Sequence, residues 1–271
     1  MFELSCDYTR SKIKYIVYRK TIEAILWEKI YETAYAKINL GLDVLGKRSD
    51  GYHEVRMVMQ SVGLSDAVEI EEGEGLVVET DHSGLAGGPD NLAWKAAELL
   101  ARCCGKIPNV HIRLNKKIFL AAGLAGGSSD AAAVMRGLSR LWQLDLTAPE
   151  LEKLAAELGS DIPFCITGGT ALAEGRGEIL TELPEAPELL LVLAKPKLEV
   201  ATGWVYGNFR QQKVNQRPDI DGIIKALEQS ATGLLLESCG NVLESVTIPA
   251  HPVIAEIKQK MLAAGATCAL M

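Results

Sequence analysis

Apolar and polar residues alternate from Ala34 to Val44, which predicts a strand with one buried face. Arg48-Ser-Asp-Gly51 interrupts the pattern as a turn. Val55 to Ile70 resumes it with two strand-like runs around Gly63. Asp90 is placed to cap a helix from Asn91 to Cys104 that stops at Gly105, and Val110 to Leu114 alternates as a strand. After a loop from Ala121 to Ser129, a helical pattern runs from Asp130 to about Leu144. Thr147-Ala-Pro-Glu150 has the spacing of a capping box and opens a helix, Leu151 to Leu158, that ends at Gly159. Gly168 to Leu183 predicts a hairpin around Gly175-Arg-Gly177, and Pro184 to Pro187 a linker. A strand at Leu189–Ala194 then starts a second unit, with helices near Ile220–Gln229 and Pro252–Ala264. Strands and helices mix without strict alternation, so the fold class is α+β in two parts.

Residues 1–32 break from this order. Arg10, Lys12, Lys14, Arg19 and Lys20 interleave with Ile13, Ile16, Val17, Ile22, Ile25 and Trp27, as in a short amphipathic helix or a loosely docked extension. At 271 residues with 48% apolar and 23% charged side chains, the chain can bury one large core or two ordinary ones. A net charge of −7 argues against a general nucleic-acid binder but not against a local site for a small anion. Six scattered cysteines and four scattered histidines form no metal-binding spacing, and the cysteines read as reduced thiols in a cytoplasmic protein. No apolar run approaches a membrane span, and no secretory signal pattern is visible.

The strongest chemical signal is Ala121-Ala-Gly123-Leu-Ala-Gly126-Gly127-Ser128-Ser129-Asp130-Ala-Ala-Ala133, between a strand and a helix. Its glycines let a ligand approach the backbone, and the serines stand where they can cap the helix. Free N–H groups at a helix N-terminus make an anion site. The loop lacks the lysine of a P-loop and the spacing of a dinucleotide fingerprint. The bland reading is a small-residue turn that packs a helix closely on a sheet. A phosphate loop without its own lysine needs a cation from elsewhere. Lys37, inside an apolar strand, is either that cation or a strand-end lysine. Asp161, between a helix stop and an apolar run, is either a turn cap or a base.

Taken together, these segments resemble the GHMP kinases, and within them the 4-diphosphocytidyl-2-C-methyl-D-erythritol kinases. The resemblance runs from residue 33 to 271 and rests on Ala34-Tyr-Ala-Lys-Ile-Asn-Leu40, Leu45-Gly-Lys-Arg-Ser-Asp-Gly-Tyr-His53 and the loop from Gly123 to Ala133. Gly159-Ser-Asp-Ile-Pro-Phe164 and Ala201-Thr-Gly-Trp-Val-Tyr206 extend it. It implies a ribosomal protein S5 domain 2-like N-terminal part over residues 33–186 and an incomplete ferredoxin-like C-terminal part over residues 187–271. It implies ATP as phosphoryl donor to the 2-hydroxyl of a cytidine-diphosphate-linked methylerythritol, in non-mevalonate isoprenoid synthesis. Phe119, Leu120, Ala121, Ala122, Gly123, Leu124, Ala125, Gly126, Gly127, Ser128 and Ser129 would then hold the ATP phosphates. Asp161 would take the hydroxyl proton, Lys37 would orient it, and Asn39 would help position the substrate. Tyr52 and Tyr206 would stack on cytosine, His53 would bond its edge, and Thr202 would lie near the substrate phosphates. Magnesium would accompany the ATP, although the sequence singles out no ligands for it. The implied partner is this small molecule, not nucleic acid or a membrane, and the implied assembly is a monomer or weak homodimer.

The chain departs from the family pattern in four places. It ends at Gly265-Ala-Thr-Cys-Ala-Leu-Met271, before the third, serine- and glycine-rich motif. Val242 stands for an acid, Phe119 for a proline, and residues 1–32 precede the usual start. A long front and a short back are read here as a truncated or mis-delimited frame, with impaired activity expected. The competing readings are a homoserine- or mevalonate-type kinase, or an inactive nucleotide-binding protein on the same fold.

Overall fold

Residues 29–271 are described by the computed structural model. The predicted amphipathic extension lies almost wholly outside the described residues; Lys29–Glu32 already belong to the first strand. The architecture is α+β. The elements are β1 (Lys29–Lys47), β2 (His53–Glu72), β3 (Leu76–Thr80), α1 (Leu92–Cys103), β4 (Val110–Asn115), α2 (Gly126–Leu141), α3 (Ala148–Ala155) and α4 (Ile162–Thr167). They continue with β5 (Thr170–Glu174), β6 (Ile179–Glu182), α5 (Thr202–Asn208), α6 (Ile220–Glu228), α7 (Thr232–Ser238), β7 (Gly240–Asn241), α8 (Glu244–Ala250) and α9 (Val253–Ala263).

Two long antiparallel strands organise the molecule. β1 and β2 pair from Lys29↔Glu71 to Lys47↔His53, with register shifts at Tyr35/Lys37, Asn39/Gly41 and Val44/Gly46. The sheet runs β3-β4-β2-β1-β7, and β5 joins β2 beside β4 and carries β6. β2 thus spends one half of its outer edge on β4 and the other on β5. This explains why its sequence looks like two runs: each half faces a different neighbour, while the chain passes straight through Gly63. β3 was not read from the sequence; it is short and pairs in parallel with β4.

α2 is the central helix, buried between the sheet, α1 and α4. Its sequence allows this because Ala131, Ala132, Ala133, Val134 and Met135 carry no polar atoms, and all are fully buried. At Gly137 a Cβ would lie 2.5 Å from the Ile70 side chain, so glycine permits the helix to approach β2. The expected helix start moves from Asp130 to Gly126, and its end from Leu144 to Leu141. α1 is capped by the side chain of Asn91, not Asp90. The Thr147–Glu150 box forms, with the Glu150 carboxylate accepting from the Thr147 N–H at 2.8 Å. The Gly175 hairpin also forms, as β5–β6.

The predicted strand Leu189–Ala194 does not form. Leu190 is 99% and Val192 75% exposed. An apolar run becomes a strand only where a ladder partner accepts its N–H and C=O groups, and none does so among the described residues. The C-terminal part is otherwise helical. It meets the sheet through α6, whose Ile220 and Ile223 pack with Leu40 and Val58, and through the short β7. No described helix is long and apolar enough to cross a membrane.

Candidate active site

The site forms where β1 is irregular. The shift between Tyr35 and Lys37 turns the Lys37 side chain into the interior, where the residue is 4% exposed. Its backbone N–H donates to the Leu124 carbonyl at 3.1 Å, which ties the strand to the glycine loop. Its ammonium lies 3.6 Å from Asp161 Oδ2 and 3.4 Å from Asn39 Oδ1. A buried ammonium is costly without a partner, and Asp161 supplies the opposite charge. Lys37 is therefore not a strand-end lysine.

Asp161 precedes α4, yet its side chain makes no capping bond to that helix. The turn-cap reading fails for that reason: the carboxylate turns toward Lys37 and keeps about a third of its surface open. Burial, followed by the Asp161 charge, pushes the Tyr206 phenol up to about 12. Burial also pushes the Cys165 thiol up to about 11, again with Asp161 adding to the shift. Arg136 steadies the helix behind Asp161. Its guanidinium donates to the Cys165 carbonyl at 2.7 Å and the Thr33 carbonyl at 2.9 Å, and pairs with Glu32 at 3.1 Å.

The loop from Phe119 to Ala125 leads directly into α2. Ala121 and Ala125 take positive φ values of 50° and 57°, and Gly123 takes 73°. The serines do not cap the helix, contrary to the sequence expectation. Ser128 and Ser129 lie inside its first turn, the cap position is Ala125, and no side chain caps it. The Ser129 hydroxyl instead donates to the Tyr35 carbonyl at 2.6 Å. The first N–H groups of α2 therefore stay free of side-chain caps at the positive end of a sixteen-residue helix. At Gly126 a Cβ would meet Ile118 at 3.1 Å, so a side chain would crowd the turn.

A second group of residues sits at the other end of the β1–β2 hairpin. Gly51, at φ 90°, makes the turn that presents Tyr52 and His53, and the Tyr52 N–H donates to Asp50 at 3.1 Å. The His53 and Tyr206 rings lie 5.4 Å apart at a 36° tilt. Tyr52 is half-exposed under the Arg176 guanidinium, 4.9 Å from its ring centre. Burial, then Lys47, lowers the His53 pKa below its ordinary value, which favours the neutral ring. A cleft of about 270 Å³ opens here, lined by Lys47, His53, Tyr206, Phe209 and Gln211 among others. Thr202 opens α5 on the exposed side, four residues before Tyr206. Val242 is buried among Leu42, Val44 and Val55, where an acid would lack compensation.

The sequence reading missed Asp66, Lys116 and Asp130, which meet beneath the loop. Lys116 bonds both carboxylates, and all three side chains are almost fully buried. The available signal was Asp130 itself, an acid flanked by small residues on a helix face that has to be buried. Arg176 was also missed.

The glycine loop thus enters the uncapped N-terminus of α2 beside the Lys37–Asp161 pair. The description "GHMP kinases N terminal domain" matches residues 91–169. A crystal structure of 4-(cytidine 5'-diphospho)-2C-methyl-D-erythritol kinase is similar at TM-score 0.74 and 33% identity, covering 89% of this chain and 86% of that one. The fold alone is shared with L. major mevalonate kinase, at TM-score 0.66 and 16% identity over 89% and 83% of the two chains. The 4-diphosphocytidyl-2-C-methyl-D-erythritol kinase of Acetivibrio thermocellus is 46% identical over 90% of this chain and 87% of its own length. That of Brevibacillus brevis is 47% identical over 90% and 84%. The chain belongs to the 4-diphosphocytidyl-2-C-methyl-D-erythritol kinase family of GHMP-type phosphotransferases.

Proposed function

We propose that this chain transfers the γ-phosphoryl group of ATP to the 2-hydroxyl of 4-diphosphocytidyl-2-C-methyl-D-erythritol. The observation that carries the reading is the Lys37–Asp161 pair, 3.6 Å apart, beside the uncapped N-terminus of α2. Phosphoryl transfer needs in-line positioning and stabilisation of spread negative charge more than covalent chemistry. Loop residues Phe119 to Ser129 hold the ATP phosphates through fixed N–H groups that need no reorganisation. The substrate oxygen attacks the γ-phosphorus, the bond to the β–γ bridging oxygen breaks, and ADP leaves. Asp161 accepts the hydroxyl proton. Lys37, with Asn39, sets the position of Asp161.

Magnesium fits this site as a companion of the ATP phosphates. Among the described residues no three His, Cys, Asp or Glu side chains gather as a cage, and magnesium commonly arrives on phosphates with most of its waters retained. Its charge would offset that of the phosphates.

The cleft at His53 and Tyr206 supports the cytidyl branch over a homoserine- or mevalonate-type substrate. Tyr206 and Tyr52 supply ring faces for the base, a neutral His53 bonds its edge, and Thr202 lies on the side of the substrate phosphates. Stacking holds any flat base, so the edge bonds carry the choice of cytosine.

The test is coupled ADP release with ATP, magnesium and the cytidyl substrate, beside Asp161→Asn. Turnover that vanishes in the variant supports the reading. Binding of the cytidyl substrate without turnover favours an inactive binding protein. Turnover of homoserine or mevalonate, unaffected by cytidine nucleotides, transfers the assignment to another branch.

A further inference from the structure

Beneath the phosphate turn lies a buried charge cluster with no part in the steps above. Asp66, in β2, accepts the backbone N–H of Lys117 and, at 2.8 Å, that of Ile118. These two amides are where β4 ends and the turn begins. The other oxygen of Asp66 binds the Lys116 ammonium, which also binds Asp130 Oδ2. Asp130 is the fifth residue of α2, so Lys116 joins the entrance of the turn to the helix that receives it. The Gly126 Cβ position is only 3.7 Å from the Lys116 ammonium, so the cluster sits directly behind the first residue of the helix.

Two carboxylates against one ammonium leave an excess negative charge where phosphates are to bind. Burial raises Asp130 to about 7, which reduces that excess near neutral pH, and Asp130 Oδ1 is buried without a partner. Stability alone does not account for such an arrangement, since well-packed apolar residues commonly replace buried ionic triads without loss. What the triad adds is geometry: fixed directions for two amides and one helix end.

We infer that Asp66, Lys116 and Asp130 are positioning residues that set the ATP-phosphate turn against the N-terminus of α2. The inference rests on the loop binding ATP as proposed above. Misplacing a phosphate cradle by a fraction of an ångström weakens ATP use and leaves the alcohol-binding side intact.

The experiment is steady-state kinetics with ATP and the cytidyl substrate varied separately, plus ADP binding and thermal melting, on wild type, Asp66→Asn, Asp130→Ala, Asp130→Asn and Lys116→Arg. The expected result is a roughly tenfold rise in KM for ATP in Asp66→Asn and Asp130→Ala, with KM for the cytidyl substrate unchanged. Asp130→Asn, which keeps an oxygen for Lys116, restores the wild-type value. Lys116→Arg keeps the charge but alters the reach, and shows the same selective rise if the other variants fail to fold. Folded variants with unchanged KM for ATP overturn the inference while leaving the kinase reading standing. Equal losses for both substrates, or loss of folding in every variant, also overturn it by making the cluster purely structural. Wild-type protein that binds no ADP removes the kinase reading and the inference together.

Discussion

Beside the glycine loop, Lys37 is nearly sealed from solvent, its N–H is bonded to that loop, and Ser129 bonds the neighbouring carbonyl of Tyr35. At the far end of the β1–β2 hairpin, Tyr52 is 54% exposed on the tip, and His53 meets Tyr206 across an open cleft. The first region is held by backbone bonds and an ion pair with one buried partner, Lys37, so a small change there displaces several groups. The second is assembled from side chains on separate elements, so a change there removes a local contact. Chemistry should therefore fail abruptly at one end and recognition gradually at the other.

The sharpest break is Asp161→Asn. A general base contributes about 10²–10⁴-fold, and kcat should fall by roughly 10³ with ADP binding, measured by calorimetry, unchanged. Lys37→Met comes next, with a loss of about 10²-fold in kcat. An unchanged kcat would show that the Lys37 ammonium, 3.6 Å from Asp161, has no part in the transfer. At the other end, Tyr206→Ala should raise KM for the cytidyl substrate about 10-fold by loss of stacking, with KM for ATP unchanged. An equal effect on both substrates would dissolve the contrast between the two ends.

A smaller effect concerns stability. Burial lifts Asp130 to about 7 from an ordinary 3.8, so the folded state holds that proton more tightly than the unfolded one. The stability this provides is complete below about pH 4 and is lost as pH rises through about 7. Asp130→Asn should remove that slope in urea denaturation compared at pH 5 and pH 8. The smallest change is expected at Val192→Ser, within about 0.5 kcal/mol, because the side chain is already open to water. By contrast Ile112→Ala, at a fully buried position of β4, should cost about 2–5 kcal/mol.

That last pair shows how far the pattern of residues carries. Val110–Leu114 and Leu189–Ala194 both read as strands, but only the first has neighbours, β2 and β3, to complete its ladder. Pairing is a property of distant residues and does not appear in a local run. The hairpin at Gly175 and the box at Thr147 were legible because their causes lie within a few residues, whereas the helix expected to run to Gly159 ends at Ala155. The glycine loop was legible for the same reason, whereas the role of its serines was not, since Ser129 answers to Tyr35 across 94 positions of sequence. Lys37 and Asp161 stayed ambiguous as single residues until the fold put them 3.6 Å apart. Asp66 and Lys116 were hidden because each has an unremarkable neighbourhood in sequence, and Asp130, although it stands in the glycine-rich segment, finds its partner only in the folded chain.

The central claim is that the Lys37–Asp161 corner moves a phosphoryl group onto a cytidyl-linked alcohol. Phosphorus NMR of the protein with ATP, magnesium and 4-diphosphocytidyl-2-C-methyl-D-erythritol tests it directly. The account predicts a new phosphomonoester resonance growing in step with ADP, and its absence with Asp161→Asn. ADP appearing with free inorganic phosphate alone, or the same phosphomonoester forming in the variant, would contradict it.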